Sequence, residues 1–119
     1  MESNNDFGKL GEQMAVEHLQ EKGYAILERN YRYLKAEVDI IARDGNTLAI
    51  VEVKSRNTGF LEDIHDTVNA KKIKLLTLAA DHYVQENDLD IEVRFDVITV
   101  IKMGREIQLE HLENAFFHF

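Results

Sequence analysis

The segment 37–54, EVDIIARDGNTLAIVEVK, contains the clearest structural pattern of the chain. Two runs of β-branched and apolar residues, 37–43 and 48–54, predict strands. The Asp-Gly-Asn sequence at 44–46 predicts a tight turn between them. The segment therefore predicts an antiparallel β-hairpin.

The register of this hairpin brings two acidic residues together. A four-residue loop pairs Arg43 with Leu48, and Asp39 then lies directly opposite Glu52. A two-residue Asp-Gly turn instead makes the two acids diagonal neighbours on the same face. Because side chains alternate along a strand, Lys54 shares the face of Glu52. Both registers thus predict a cluster of two carboxylates and one ammonium group.

The two carboxylates need a compensating charge, because at about 5 Å and an effective dielectric near 20 they repel by roughly 3 kcal/mol. Lys54 can reduce this repulsion, but a divalent cation does so better, and hard oxygen ligands suit Mg²⁺ or Mn²⁺. The alternative is a solvated cross-strand cluster of charges. Asp39 and Glu52 lie within the most apolar stretches of the chain, which favours a functional role for them.

A third acidic residue, Glu12, lies in a predicted helix over 7–22, which Asp6 can cap and Gly23 can end. Glu12 continues the apolar stripe of this helix, formed by Ala15, Val16 and Leu19. With Asp39 and Glu52 it supplies three oxygen donors for one or two metal ions. Lys54 lies beside them to orient or deprotonate an attacking water, or to hold a phosphate.

The other segments complete a mixed α/β pattern. After the first helix we expect an extended segment 24–33, the hairpin, a loop 56–62, a helix 63–85, a buried strand 93–101 and a short edge strand 105–109. The order α-β-β-β-α-β-β predicts a mixed β-sheet flanked by helices. A length of 119 residues without a linker predicts one domain, 1–119.

Composition excludes several classes of protein. The chain has no cysteine, which excludes a disulfide scaffold, a thiolate zinc site and a cysteine nucleophile. No apolar run approaches the ~20 residues of a membrane helix, and the N-terminus lacks the features of a signal peptide. We therefore expect a cytoplasmic protein without a membrane partner.

The net charge of −8 is unlike that of a typical nucleic-acid-binding protein. The charge is unevenly distributed, however. Residues 29–74 hold nine basic and seven acidic side chains, so this middle part is +2 and its flanks carry the remaining −10. The acidic excess lies mostly outside the segment that carries the candidate site.

An Asp on one strand followed by Glu-x-Lys on the next resembles the core of the PD-(D/E)xK nuclease superfamily. The chain resembles one branch of it, the bacterial YraN family of predicted endonucleases. The matching motifs cover nearly the whole chain: Gly8-x-x-Gly11-Glu12, Gly23-Tyr24, Asn30-Tyr31-Arg32, residues 37–42, residues 51–56, Lys71 and residues 94–97. The resemblance implies a restriction-endonuclease-like fold and a nucleic-acid substrate.

The resemblance also implies roles for single residues. Asp39 and Glu52 ligate the metal, Glu12 completes its shell and Lys54 assists the nucleophile. A residue of the helix after the Glu-x-Lys strand points into the site in this superfamily, and Lys71 is the best candidate. Its alternative is a side chain that lies along the core.

Other basic residues are candidates for phosphate contacts. Arg56 and Lys72 are placed for this role, although exposed basic residues are common on protein surfaces. Arg32, with Arg29 and the tyrosines at 31 and 33, predicts either a stacking and phosphate-binding patch or an ordinary strand with one aromatic face.

We therefore expect a metal-dependent endonuclease that hydrolyses phosphodiester bonds in DNA, with branched or structured DNA as a substrate suggested by analogy. The alternative is a non-catalytic nucleic-acid-binding or scaffold protein that keeps the nuclease fold, which the acidic net charge favours. The three acids and the lysine favour catalysis, because a protein that only binds phosphate has no reason to hold carboxylates near it.

Three features have no assigned role in this scheme. Arg94 and Asp96, on the predicted buried strand, form either a buried pair or a contact with the site. The apolar tail 115–119 packs on its own domain or forms a homodimer contact. The five histidines show no metal-ligand spacing and are interpreted as incidental.

Overall fold

The helices and strands follow one another in the order that the sequence predicts. The computed structural model describes residues 4–57 and 68–116. Their elements are α1 (Asn4–Glu21), β1 (Ala25–Tyr33), β2 (Ala36–Asp44), β3 (Thr47–Asn57), α2 (Ala70–Glu86), β4 (Glu92–Met103) and β5 (Glu106–Leu112). The mixed α/β fold with the order α-β-β-β-α-β-β is confirmed.

The described strands form a five-stranded sheet with the spatial order β1-β2-β3-β4-β5. β1, β2 and β3 are antiparallel neighbours, β3 and β4 are parallel, and β5 is antiparallel to β4. A parallel pair requires a long crossover connection, and α2 lies in it. The central strand is therefore β3, whose continuous apolar run suits burial on both faces.

The hairpin of β2 and β3 has the register that pairs Arg43 with Leu48, which is one of the two alternatives predicted from the sequence. Its loop is two residues long rather than four, because Asp44 and Thr47 also form a cross-strand pair. Gly45 in this loop has a φ of 59°, a left-handed conformation that glycine adopts without strain.

Each face of the sheet is covered by one helix, as predicted. α1 packs on one face through Phe7, Ala15, Val16 and Leu19. α2 packs on the other through Leu76, Ala79, Ala80 and Tyr83. Along β3, Ala49, Val51 and Val53 belong to the first core, whereas Leu48 and Ile50 belong to the second. The strand alternation therefore assigns Glu52 to the face that α2 covers.

The first helix ends at the predicted glycine but starts earlier than predicted. Gly23 has a φ of 93°, and the N–H of Tyr24 donates to the carbonyl of Leu19 at 2.9 Å, which closes the C-terminus. The helix begins at Asn4, so Asp6 lies in its first turn and is not the cap. Its charge is still favourable there, at the positive end of the helix dipole.

The second helix is shorter than predicted at its start. It begins at Ala70, with Asn69 as N-cap, and Val68 is not helical. The Asn69 side chain accepts a hydrogen bond from the N–H of Lys72 at 2.9 Å, which favours a helix start at this residue. The predicted helical residues 63–67 lie outside the described residues, as does the predicted loop beyond Asn57.

The described part of the tail packs on its own domain, which is one of the two predicted alternatives. The Phe116 ring stacks on Phe95 with 5.0 Å between the ring centroids, and the N–H of Ala115 donates to the Phe95 carbonyl. Residues 117–119 lie outside the described residues. Among the described helices, none combines the length and the apolar character needed to cross a membrane.

Candidate active site

The predicted carboxylate pair forms where the hairpin ladder ends. The last main-chain pair of β2 and β3 is Ile40 with Val51, and beyond it the N–H of Val53 donates to Asp39 Oδ2 at 2.7 Å. Glu52 is only 8% exposed, and its carboxyl group interacts directly with that of Asp39. The structure therefore brings these two predicted ligands together.

Burial and mutual repulsion change the acidity of both groups. Burial, together with the charge of Asp39, raises the pKa of Glu52 to about 7, although Lys72 opposes this shift. Burial also raises the pKa of Asp39, and the charge of Glu12 adds to the effect, whereas the Val53 N–H opposes it. Near neutral pH the pair is consequently partly protonated unless a further cation is present.

The donor set of the pair fits a hard divalent cation. Glu52 Oε1 lies 3.2 Å from the Lys72 ammonium, but no described residue donates a hydrogen bond to the buried Glu52 Oε2. An anionic oxygen without a donor in a buried site is unfavourable, and a metal ion or a shared proton would satisfy it. In residues 4–57 and 68–116, however, no three acids or histidines lie close enough to hold a metal ion together.

Glu12 lies near this pair but is held by β1. Its Oε1 accepts a hydrogen bond from Asn30 Nδ2 at 2.9 Å and lies 3.6 Å from the Arg29 guanidinium. Asn30 has a φ of 53°, a conformation that asparagine adopts more readily than most residues. The role of Glu12 as a third metal ligand stays a prediction, and Asn30 is a neighbour that the sequence analysis did not assign to it.

A cleft of about 650 Å³ opens beside Asp39, between α1 and the adjoining ends of the strands. Four residues predicted for the site line it: Glu12, Asp39, Lys54 and Arg56. Lys54 is half-buried, and it forms no salt bridge with a described residue. The cleft is also lined by Lys9, which the sequence analysis missed because a single lysine near a chain terminus has no distinguishing pattern.

Close approach of α1 to β3 shapes one wall of this cleft. A β-carbon at Gly11 would collide with Ser55 Oγ, so the helix can pack at this distance only with glycine there. The same contact places the next residue, Glu12, over the sheet.

On α2, Lys72 rather than Lys71 reaches the carboxylates. Lys72 Nζ lies 3.2 Å from Glu52 Oε1, whereas Lys71 is exposed. The prediction placed Lys71 four residues before Leu75, but the fully buried stripe runs through Leu76, which lies four residues after Lys72. The prediction that Lys71 points into the site is therefore wrong by one position.

The predicted patch of arginines and tyrosines on β1 is not assembled. Tyr31 packs edge-on against Tyr83, and Tyr33 stacks on His82 at 3.7 Å, so both tyrosines face α2. Arg32 is turned to solvent and lies 3.1 Å from Glu37. Because side chains alternate along the strand, the tyrosines and Arg32 lie on opposite faces of the sheet. This favours the other predicted alternative, an ordinary strand with one aromatic face.

Arg94 and Asp96 form a buried pair. Arg94 donates two hydrogen bonds of 2.8 Å to the fully buried Asp96 and a third of 2.6 Å to Tyr24. Burial alone would raise the pKa of Asp96, but hydrogen bonds from His111 and Arg94 outweigh it and lower the pKa. Asp96 Oδ2 lies 2.8 Å from His111 Nε2, and His111 lies 3.1 Å from His18. The interpretation of these two histidines as incidental is wrong.

Comparison with known proteins agrees with the motifs of the sequence. A sequence model of the family described as "Uncharacterised protein family UPF0102" matches residues 11–100. A UPF0102 protein of Christiangramia forsetii is 52% identical over 119 residues and covers all of both chains. A UPF0102 protein of Bacteroides thetaiotaomicron is 41% identical over 117 residues, with 98% of this chain and 97% of that one covered.

The fold is similar to that of Hjc, a Holliday junction resolvase from the archaeal hyperthermophile Archaeoglobus fulgidus. The TM-score is 0.51 at 16% sequence identity, and the match covers 89% of this chain and 76% of that chain. This likeness confirms the predicted restriction-endonuclease-like fold. The chain belongs to the UPF0102 family, which is the YraN family that its motifs resemble.

Proposed function

We propose that the protein is a Mg²⁺- or Mn²⁺-dependent endonuclease that hydrolyses phosphodiester bonds in DNA. The observation that carries this proposal is the proximity of two carboxylates, the buried Glu52 and the partly buried Asp39, beside a cleft lined by Asp39 and Lys54. Burying two acids against each other is unfavourable unless a proton or a cation joins them. Oxygen-only donors next to an open cleft suit a hard divalent ion and an accessible substrate.

Each residue of the site has a role in this reaction. Asp39 and Glu52 would hold the metal, which when bound supplies a Lewis acid that stabilises negative charge on the phosphate. Lys54 orients or deprotonates the attacking water, or holds the phosphate. Glu12, which now accepts a hydrogen bond from Asn30, would complete the metal shell.

The basic side chains around the cleft favour a polyanionic substrate. Lys9, Lys54 and Arg56 line the cleft, and the first turn of α2 contributes Lys71 and Lys72. Arg32 adds a further exposed cation. We assign these residues to phosphate contacts, which hold a nucleic acid without reading its sequence.

Branched DNA is the substrate class that we propose. The fold is similar to that of a Holliday junction resolvase, and at the identity observed this likeness supports the proposal through the fold alone. We further propose that the chain acts as one domain, 1–119, and as a homodimer, because two copies of a small subunit can cut two strands of a junction.

A non-catalytic nucleic-acid-binding or scaffold protein is the second candidate. Two observations favour it: the net charge of −8, and the engagement of Glu12 with β1 rather than with the other two acids. In this case the Asp39–Glu52 pair is a structural cluster that Lys72 neutralises.

Cleavage of a panel of DNA forms in Mg²⁺ or Mn²⁺ tests the first candidate. The panel contains single-stranded, duplex, forked and four-way-junction DNA. We expect the wild type to cut at least one form, and Asp39→Asn, Glu52→Gln and Lys54→Ala each to lower the rate at least 100-fold. Glu17→Gln and Lys35→Ala, which change exposed residues of the same charge, serve as matched controls and should cut as the wild type does.

The two candidates give different results in this panel. Junction binding by the wild type without cleavage in either metal would support the scaffold function and exclude the nuclease. Cleavage that survives Asp39→Asn would show that a contaminant or a different site is responsible.

A further inference from the structure

The ammonium of Lys72 contacts the buried carboxylate of Glu52. Its Nζ lies 3.2 Å from Glu52 Oε1, and the side chain of Lys72 is 37% exposed whereas that of Glu52 is 11% exposed. Lys54 makes no such ion pair within the part of the chain that the structure describes. Lys72 therefore supplies a positive charge to a site that carries two acids.

Helix energetics do not explain a lysine at this position. The N–H of Lys72 donates to the Asn69 cap, so Lys72 is the third residue of α2. The first turn of a helix is positive, and acidic side chains are the ones favoured there. The first turn of α2 contains no acidic residue. The contact with Glu52 thus offsets the unfavourable position of the Lys72 charge at the positive end of the helix.

A divalent ion and the Lys72 ammonium cannot share Glu52 without strong repulsion, because both would lie at contact distance from one carboxylate. Glu52 is buried in the sheet and has little freedom to move. Lys72 is half-exposed and flexible along its four-carbon stem, so its ammonium can move into solvent while the helix backbone stays in place. Metal binding should consequently displace Lys72.

We propose that Lys72 is a positioning residue that holds Glu52 in the place of a divalent ion and is displaced when the ion binds. This inference rests on the proposed metal site of Asp39 and Glu52. Its consequence is a competition: the ammonium keeps the metal-free pair ordered and at the same time lowers the affinity of the site for metal.

Calorimetric titration of the full chain with Mn²⁺ alone tests the competition. Lys72→Met removes the charge and keeps the length of the side chain, and it should bind Mn²⁺ about tenfold more tightly than the wild type. Lys72→Arg keeps the charge and should bind as the wild type does. Lys74→Met is the matched control, because it changes the net charge equally at an exposed residue of the same helix and should leave the affinity unchanged.

The outcomes separate this inference from the proposed function. If the wild type binds Mn²⁺ but Lys72→Met binds it no more tightly, Lys72 does not compete and the metal site stands. If Lys74→Met gains as much affinity as Lys72→Met, the effect is general electrostatics and the inference is wrong. If no protein binds Mn²⁺, both proposals are overturned. Lys72→Gln, whose amide can still donate to Glu52, carries the same test should Lys72→Met fail to fold.

Discussion

The main-chain N–H of Val53 donates a 2.7 Å hydrogen bond to Asp39 Oδ2, just beyond the last cross-strand pair of β2 and β3. A side-chain carboxylate thus accepts the bond that a main-chain carbonyl accepts elsewhere in the hairpin. This bond orients Asp39 towards Glu52, the residue before Val53. The donor is a main-chain N–H and not a basic side chain. The hairpin itself therefore positions the acids of the candidate site.

The raised pKa of Glu52 predicts a pH-dependent effect of Glu52→Gln on stability. In the folded state this pKa rises from 4.5 to about 7, so the ionised form disfavours folding. Stability associated with this group is present below pH 4.5 and is lost as the pH rises through 7. The free energy of unfolding of Glu52→Gln, relative to that of the wild type, should therefore increase by up to about 3 kcal/mol between pH 4 and pH 8.

Urea unfolding at the two pH values, in the absence of divalent ions, measures this gain. Glu17→Gln is the control, since Glu17 is exposed and its replacement should give the same difference at both pH values. A constant difference between Glu52→Gln and the wild type across this range would mean that Glu52 ionises as freely in the folded chain as in the unfolded one.

Gly11 and Gly8 should respond in opposite ways to the same substitution. A β-carbon at Gly11 collides with Ser55 Oγ, so Gly11→Ala should destabilise the fold by about 1–3 kcal/mol. A β-carbon at Gly8 meets no atom of the described residues within 4 Å, so Gly8→Ala should stabilise α1 by up to about 1 kcal/mol. Thermal unfolding of both variants measures the difference.

Adding Ser55→Gly to Gly11→Ala identifies the cause of the loss. If the collision is responsible, the double variant should be more stable than the sum of the two single effects predicts. Additive effects would instead show that Gly11 is needed for its backbone and not for the approach to Ser55.

Asp96→Asn should be strongly destabilising, although Asp96 lies outside the candidate site. Asp96 is fully buried and accepts hydrogen bonds from Arg94 and from the N–H of Asn114. Removing its charge leaves Arg94 without its buried partner, at a cost of about 3 kcal/mol. Because the pKa of Asp96 is lowered, its contribution is present above pH 3.8 and is lost as the pH falls.

Chemical unfolding at pH 7 measures this loss, with Glu110→Gln on the exposed side of β5 as the control. An Asp96→Asn variant as stable as the wild type would show that the charge of this pair contributes nothing beyond its hydrogen bonds.

Lys9 should contribute to nucleic-acid binding as a non-specific phosphate contact. It lines the cleft together with Lys54 and Arg56. In Ca²⁺, Lys9→Ala should weaken junction binding and reduce the slope of log affinity against log salt by about 1. Lys22→Ala removes the same charge just beyond the C-terminal end of α1, outside the cleft lining, and should leave the slope unchanged. Equal slopes for all three proteins would exclude Lys9 from the interface.

Most features of the hairpin of β2 and β3 follow from local rules. Its strands, the pairing of Arg43 with Leu48, and the meeting of Asp39 with Glu52 all followed from alternation and register, which are local rules. The loop length was not predicted, because two turns of different length fit one Asp-Gly-Asn sequence. The prediction of Lys71 instead of Lys72 has the same cause, an ambiguous local pattern. Both lysines precede apolar residues at helical spacing.

By itself, the sequence determined the order of the elements, the family and the two acids of the hairpin, because residue periodicity and short motifs encode local geometry. Only the tertiary structure decided which side chains meet across elements: Lys72 with Glu52, Asn30 with Glu12, and Asp96 with His111. The first two of these contacts join a helix to a strand, and the last joins two strands. These contacts form because the residues of both cores pack together in the folded chain. Residue spacing along the sequence does not encode them.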